Sequence, residues 1–214
     1  MHLLSVNIGQ ERSIEKAKAS GKTGIYKQPA PGDVTITPDG IPGDFIADIK
    51  HHGGPDQALY LYGGADYDWW SRQLGRVVAP GSFGENLTVS DLESARCSIG
   101  DRLRIGNVLL EVSAPRMPCV TLARRMGDPQ FIQRFRDAER PGLYCRVLQP
   151  GTLRAGDEVR LEPVRGAAVG VIEIYRDHYE QGADADALRR FLDAPLAIRT
   201  RKALEERLGK LLVG

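Results

Sequence analysis

The sequence predicts a mainly β fold with helical insertions: a β-barrel-like antiparallel sheet over residues 1–165, then a small three-helix segment over residues 166–214. Short runs with alternating apolar residues are punctuated by Gly, Pro and Asp through the first three quarters of the chain, the cadence of a closed or partly closed sheet. Two stretches within that part switch to helical spacing, and past about Arg165 the helical period takes over altogether.

In chain order the strand-like runs are VTITPDGIPGDFIADIK, QALYLYGG, ENLTVS, SIGDRLRIGNVLLEVS, LYCRVLQPG and GDEVRLEPV. Gly-Asp pairs at 43–44, 100–101 and 156–157 adjoin alternating apolar positions such as Leu103 and Ile105, or Val159 and Leu161, and read as turns entering strands. From Ala65 to Leu74, the positions Tyr67, Trp70 and Leu74 form a helical stripe that belongs to the core. After Cys119, VTLARRMGD forms a short helix. Asp128 then offers an N-cap and Pro129 a first helical position for PQFIQRFRDAE.

The tail carries helical patterns in AAVGVIEIYRDHYEQ, DADALRRFLDA and LAIRTRKALEERLGKLL, with Asp184 or Asp186 to cap the second and Pro195 to part it from the third. Three short helices bury little by themselves, so they are expected to dock on the sheet or on a partner subunit, outside any metal site. Arg199, Arg201 and Lys202 read as a solvated face.

Composition excludes several function classes. The 29 Lys and Arg against 28 Asp and Glu leave a net charge of +1, without the basic surplus of a nucleic-acid binder. No uncharged apolar run approaches the roughly 20 residues of a membrane span, and the first residues lack the basic and apolar regions of a secretory signal. A cytoplasmic protein is expected. Cys97, Cys119 and Cys145 are too few for a disulfide framework or an iron–sulfur cluster of its own.

Cys119 follows Pro118, with Pro115 and Arg116 close by, just past the apolar run NVLLEVS. The prolines remove backbone donors, so a rigid exposed loop is expected there, and Arg116, Arg124 and Arg125 would favour the thiolate. The residues alone leave Cys119 either a small packing residue or a ligand and nucleophile; Cys97 and Cys145, inside strand-like runs, read as packing. Structural zinc is disfavoured, since no two cysteines are close in sequence. Two glycine-rich stretches could approach a ligand closely: KHHGGPDQALY with Lys50, His52, Gly53 and Gly54, and GSFGENLT with Gly81, Phe83, Gly84, Glu85 and Asn86. Adjacent on a strand, His51 and His52 would face opposite sides, so one of them could enter a site. Neither stretch is a nucleotide-binding fingerprint.

Taken in order, TGIYK (23–27), GD-x-x-AD-x-x-HHGGPDQA, PGSFGENLT, IGDRLRIG, PRMPC and YCRVLQPG-x-x-x-AGD resemble the MOSC family, and within it the YiiM type. The resemblance covers residues 1–165, with the tail resembling the three-helix extension of that group. His51, before HGG, and Leu143 depart from the usual pattern. The resemblance implies a barrel that binds the molybdenum cofactor (molybdopterin), with Cys119 as the protein ligand to molybdenum. It also implies reduction of small N-hydroxylated compounds, such as hydroxylaminopurines or hydroxylamines, with electrons from an external flavin or iron–sulfur protein. Pyridoxal phosphate has no place in such chemistry. Arg116 joins Cys119 as a catalytic candidate. Lys27, Arg116, Arg146 and His52 are the candidate cations and donors to the cofactor. Thr23, Glu85 and Asn86 would meet its pterin edges, beside Gly53, Phe83 and Gly84. A persulfide carrier using the same thiol, a barrel that only stores the cofactor, and an oligomer all remain compatible with the sequence.

Overall fold

The structure, a computed structural model, describes residues 1–15 and 21–213. The N-terminal part forms β1 (Leu3–Ile8), β2 (Arg12–Ser13), β3 (Lys22–Thr23), β4 (Gln28–Pro29), β5 (Val34–Ile36), α1 (Ile49–His52), β6 (Leu59–Gly63), α2 (Gly64–Leu74) and β7 (Leu87–Val89). There follow β8 (Arg102–Ile105), β9 (Val108–Pro115), α3 (Val120–Met126), α4 (Phe131–Ala138), β10 (Leu143–Gln149), β11 (Gly151–Leu153) and β12 (Val159–Glu162). The tail forms α5 (Val171–Glu180), α6 (Ala185–Asp193) and α7 (Ile198–Val213).

The main sheet has eight strands in the order β12-β8-β9-β10-β6-β7-β1-β4. It is mixed, not wholly antiparallel, because β6 and β7 run parallel. The reason is local: α2 carries the chain from the end of β6 back to the start of β7, and only such a crossover can join parallel neighbours. Among the described residues no continuous ladder closes the sheet into a barrel. A single bridge, His2 opposite Glu158, brings the start of β1 to the start of β12, supported by Leu3 N–H donating to Asp157 O at 2.9 Å.

Alternation along β6 and β10 divides the interior in two. Leu59, Leu61, Leu143 and Cys145 face an aliphatic core that also takes Leu103, Ile105, Leu110 and Val112. Tyr60, Tyr62 and Tyr144 face an aromatic layer under α2, α3 and α4. There Phe83 stacks on Tyr62 with centroids 4.4 Å apart, and Trp70 Nε1 donates to the Tyr62 hydroxyl at 2.7 Å. The Tyr67 and Trp70 stripe is therefore core, as the spacing indicates. The tail packs on the aliphatic core through Val171, Ile174, Leu188, Phe191 and Leu204.

Three local expectations are corrected. His51 and His52 lie on the short helix α1, not a strand, since Asp48 caps it by accepting from His51 N–H. Of the run 34–50, only Val34–Ile36 forms a strand, because the glycines and prolines that follow turn the chain. Helix α4 starts at Phe131 and not at Pro129: the Asp128 carboxylate accepts from Gln130 N–H at 2.9 Å, which makes residues 128–130 a turn ahead of the helix. In the tail, Asp184 and not Asp186 caps α6, accepting from Ala187 N–H at 2.8 Å. The side chain of Lys50 lies outside the described residues.

Candidate functional site

The PR-x-PC segment leaves the sheet at Pro115, whose ring ends the ladder of β9, and turns inward. Arg116 is only 4% exposed and lays its guanidinium over the Tyr60 ring, 5.0 Å from the centroid. Cys119 then caps α3 in extended geometry and is half-buried. The expected exposed loop is thus a loop folded over the aromatic layer, because Tyr60 and Tyr144 on neighbouring strands offer Arg116 a better surface than solvent does.

This turn closes one side of a cavity with about 670 Å³ of empty space, counting the part open to solvent. Opposite Arg116, the wall is a buried polar clamp: Lys27 pairs with Asp44, and Asp44 also accepts from Gly9 N–H at 2.7 Å and Asn86 Nδ2 at 2.9 Å. Burial pulls the Lys27 ammonium below its ordinary range, against the opposing hold of Asp44. Gly84 completes this wall with φ of 78°, and a Cβ there would lie 2.8 Å from Ile25 Cγ1, so a side chain is excluded.

At the other end stand Cys119, His52 and Tyr144. His52 Nδ1 is 3.0 Å from the Tyr144 hydroxyl. Burial alone would push the Cys119 thiol up. A hydrogen bond from His52, the Arg116 charge and the N–H of Leu122 outweigh it and bring the thiol down to about 6. The surroundings of Cys119 thus favour its thiolate form. Burial keeps Tyr144 protonated, against the pull of Arg116. Two buried atoms of the cavity lining have no hydrogen-bond partner among the described residues: Arg116 Nη1, a donor, and Gln57 Oε1, an acceptor. Such groups are costly unless a ligand or water satisfies them.

Of the residues singled out from sequence, Thr23, Lys27, His52, Gly84, Asn86, Arg116 and Cys119 line this cavity. Gly53, Phe83, Glu85 and Arg146 do not. Phe83 and Glu85 alternate with Gly84 and Asn86 and turn to the other side: Phe83 into the aromatic layer, and Glu85 to accept from Tyr67 at 2.6 Å, Gly81 N–H at 2.6 Å and Thr88 at 2.8 Å. Arg146 is drawn away by Asp56 and Glu111, each at 2.9 Å. Gly53 ends α1. Asp44, Gln57, Tyr60 and Tyr144 are wall residues that sequence reasoning passed over. Asp44 lay in a Gly-Asp pair taken as a turn, although GD-x-x-AD was part of the motif set.

A cysteine whose thiolate form is favoured stands at one end of a polar cavity on a large mixed sheet. The model of the family described as MOSC domain matches residues 48–160, and the chain belongs to that family. Within it, the chain is of the YiiM type. The crystal structure of YiiM from Geobacillus stearothermophilus superposes with a TM-score of 0.80 at 27% identity, covering 97% of this chain and 98% of that one. Protein YiiM of Escherichia coli (strain K12) is 33% identical over 195 residues, 89% of this chain and 85% of the relative. A protein of Gibberella moniliformis (strain M3125 / FGSC 7600) named Reductase is 34% identical over 165 residues, which span 74% of this chain but 29% of that longer protein.

Proposed function

We propose that this protein binds the molybdenum cofactor in the cavity and reduces small N-hydroxylated compounds, with Cys119 as the protein ligand to molybdenum. The observation that carries the reading is Cys119 itself, with His52 and Arg116 favouring its thiolate form at the end of a cavity open to solvent. The donor set fits the group. One soft thiolate suits a molybdenum that arrives with its other ligands on an organic carrier. Lys27, Asn86 and Thr23, with unpartnered Arg116 Nη1 and Gln57 Oε1, supply the mixture of cation, donor and acceptor that an anionic pterin needs.

When bound, the cofactor supplies the two-electron redox change that the side chains themselves do not. Cleaving an N–O bond to give N–H and water consumes two electrons and two protons. Tyr144, with its phenol proton retained and its hydroxyl against His52, which in turn meets the thiol, supplies a proton to that end of the cavity through His52. Arg116 keeps positive charge beside the reacting centre. The electrons come from a separate flavin or iron–sulfur protein, since the chain carries no nicotinamide, flavin or iron–sulfur signature. Among the described residues no helix is long and apolar enough to cross a membrane. The three free thiols suit work in the reducing cytoplasm.

Elemental and pterin analysis of protein from a molybdenum-sufficient host tests the reading directly. Molybdenum and pterin without sulfane sulfur support it; sulfane sulfur without molybdenum would make Cys119 a persulfide carrier instead. Turnover of an N-hydroxylated substrate is expected with reduced viologen and absent with NADH or NADPH alone. Rapid turnover with NADH alone would reveal a cofactor site in the chain and overturn the external donor.

A further inference from the structure

The tail does more than cover the aliphatic core. Its α6–α7 junction, residues 194–198, lies on the sheet directly behind the thiol end of the cavity. Ala197 N–H donates to Ser113 O at 2.9 Å, Arg146 donates to Pro195 O at 2.9 Å, and Ile198 N–H donates to Asp56 Oδ2 at 2.7 Å. One residue further, Arg199 Nη1 donates to the carbonyl of His51 at 3.2 Å. Three of these ties end next to a wall residue: Asp56 precedes Gln57, His51 precedes His52, and Ser113 Oγ also donates to the carbonyl of Tyr144 at 3.0 Å. The segment 49–57 is also held by His52 against the Tyr144 hydroxyl and by Asp56, whose carboxylate accepts from Arg146 and whose carbonyl accepts from Ser113 Oγ. It contains one turn of α1 and one 3-10 turn, and its glycines, Gly53 and Gly54, contribute no side-chain packing.

We propose that Arg199 is a positioning residue: anchored by the junction behind it, it holds the His51 carbonyl and so sets where His52 stands against Cys119. The tail is then a working part of the cavity, and the solvated face expected from sequence is at Arg199 a brace. The functional weight of this inference rests on the reading of Cys119 as the working thiol, whereas the placement of segment 49–57 does not.

Hydrogen exchange followed by mass spectrometry on the full chain, with and without Arg199→Ala, tests the placement. Loss of one hydrogen bond from a charged donor predicts exchange in the peptide spanning 49–57 at least about fivefold faster, with β9 and β10 amides unchanged. Arg199→Lys, which keeps a charged donor, should recover part of the protection. In the loaded enzyme, Arg199→Ala is expected to lower kcat while molybdenum content and substrate KM stay near wild type, with Lys again restoring part. Unchanged exchange in 49–57 would overturn the inference whatever the fate of the molybdenum reading. Faster exchange with unchanged kcat would overturn Arg199 as a positioning residue and leave it a structural tie. If Cys119→Ser retains full metal and activity, the functional reading fails instead, and the exchange result stands apart from it.

Discussion

The aliphatic core and the cavity both contain cysteine, and they treat it in opposite ways. Cys97 and Cys145 sit among Leu59, Leu61, Val112 and Leu143, where burial pushes the Cys97 thiol up to about 12 and raises Cys145 as well. Cys119 is also largely withdrawn from solvent, yet His52, Arg116 and a helix N–H bring it down to about 6. Desolvation acts on all three thiols. What separates them is whether the fold brings donors and positive charge to the sulfur.

The largest expected difference is in reactivity. At pH 7 the values near 6 and 12 imply a thiolate fraction higher at Cys119 than at Cys97 by about four to five orders of magnitude. Alkylation of the cofactor-free protein should therefore mark Cys119 alone. Because its ionised form is the favoured one, labelling should fall as pH drops through about 6 and stay flat from pH 7 to 9. Mass mapping that finds Cys97 labelled at a comparable rate in folded protein would erase the contrast.

Next in size is the loss of function in Cys119→Ser. A hydroxyl is a hard, poorly ionised substitute for a thiolate, so molybdenum content and turnover should each drop at least about tenfold. The circular dichroism spectrum should not change, since the position is only half-buried at the edge of the aromatic layer and serine keeps the size of the side chain. Wild-type turnover from folded Cys119→Ser would refute the ligand assignment.

Cys145→Ser should show the reverse profile. A hydroxyl placed in an apolar core without a partner costs about 1–3 kcal/mol, a fall in Tm of several degrees for a chain of this size, with activity per folded molecule kept. A large loss of activity at unchanged Tm would place Cys145 in the site and end the division. Asp44→Asn sharpens the picture from the far wall. It weakens the hold on Lys27 without touching the thiol end, so cofactor retention should decline while Cys119 labelling keeps its pH dependence.

Several of these features were legible in the chain. The PR-x-PC order, followed by a helix, marked Cys119 and Arg116, and helical spacing placed Tyr67 and Trp70 in a core. The glycine-rich run GSFGENLT was harder. It marks a wall, but on a strand-like path alternate residues face opposite ways, so Gly84 and Asn86 line the cavity while Phe83 and Glu85 support it from behind. Arg146 shows a second difficulty. A cation near a motif is indistinguishable in sequence from one already committed, and only the positions of Asp56, Glu111 and the tail carbonyls show that it is taken.

By itself the sequence determined the β cadence and the helical insertions, which follow from periodicity and turn residues; its local chemistry left Cys119 open between packing and ligand, and the resemblance of the ordered motifs to a family singled that thiol out. The tertiary structure decided that β6 and β7 run parallel, that Tyr144, Gln57 and Asp44 meet Cys119 in one cavity, and that Arg199 reaches back to His51. Those pairings join residues 92 to 148 positions apart at the thiol end, His52 to Tyr144 and His51 to Arg199. No local preference encodes a separation of that length; it is fixed only when two cores pack against opposite faces of one sheet.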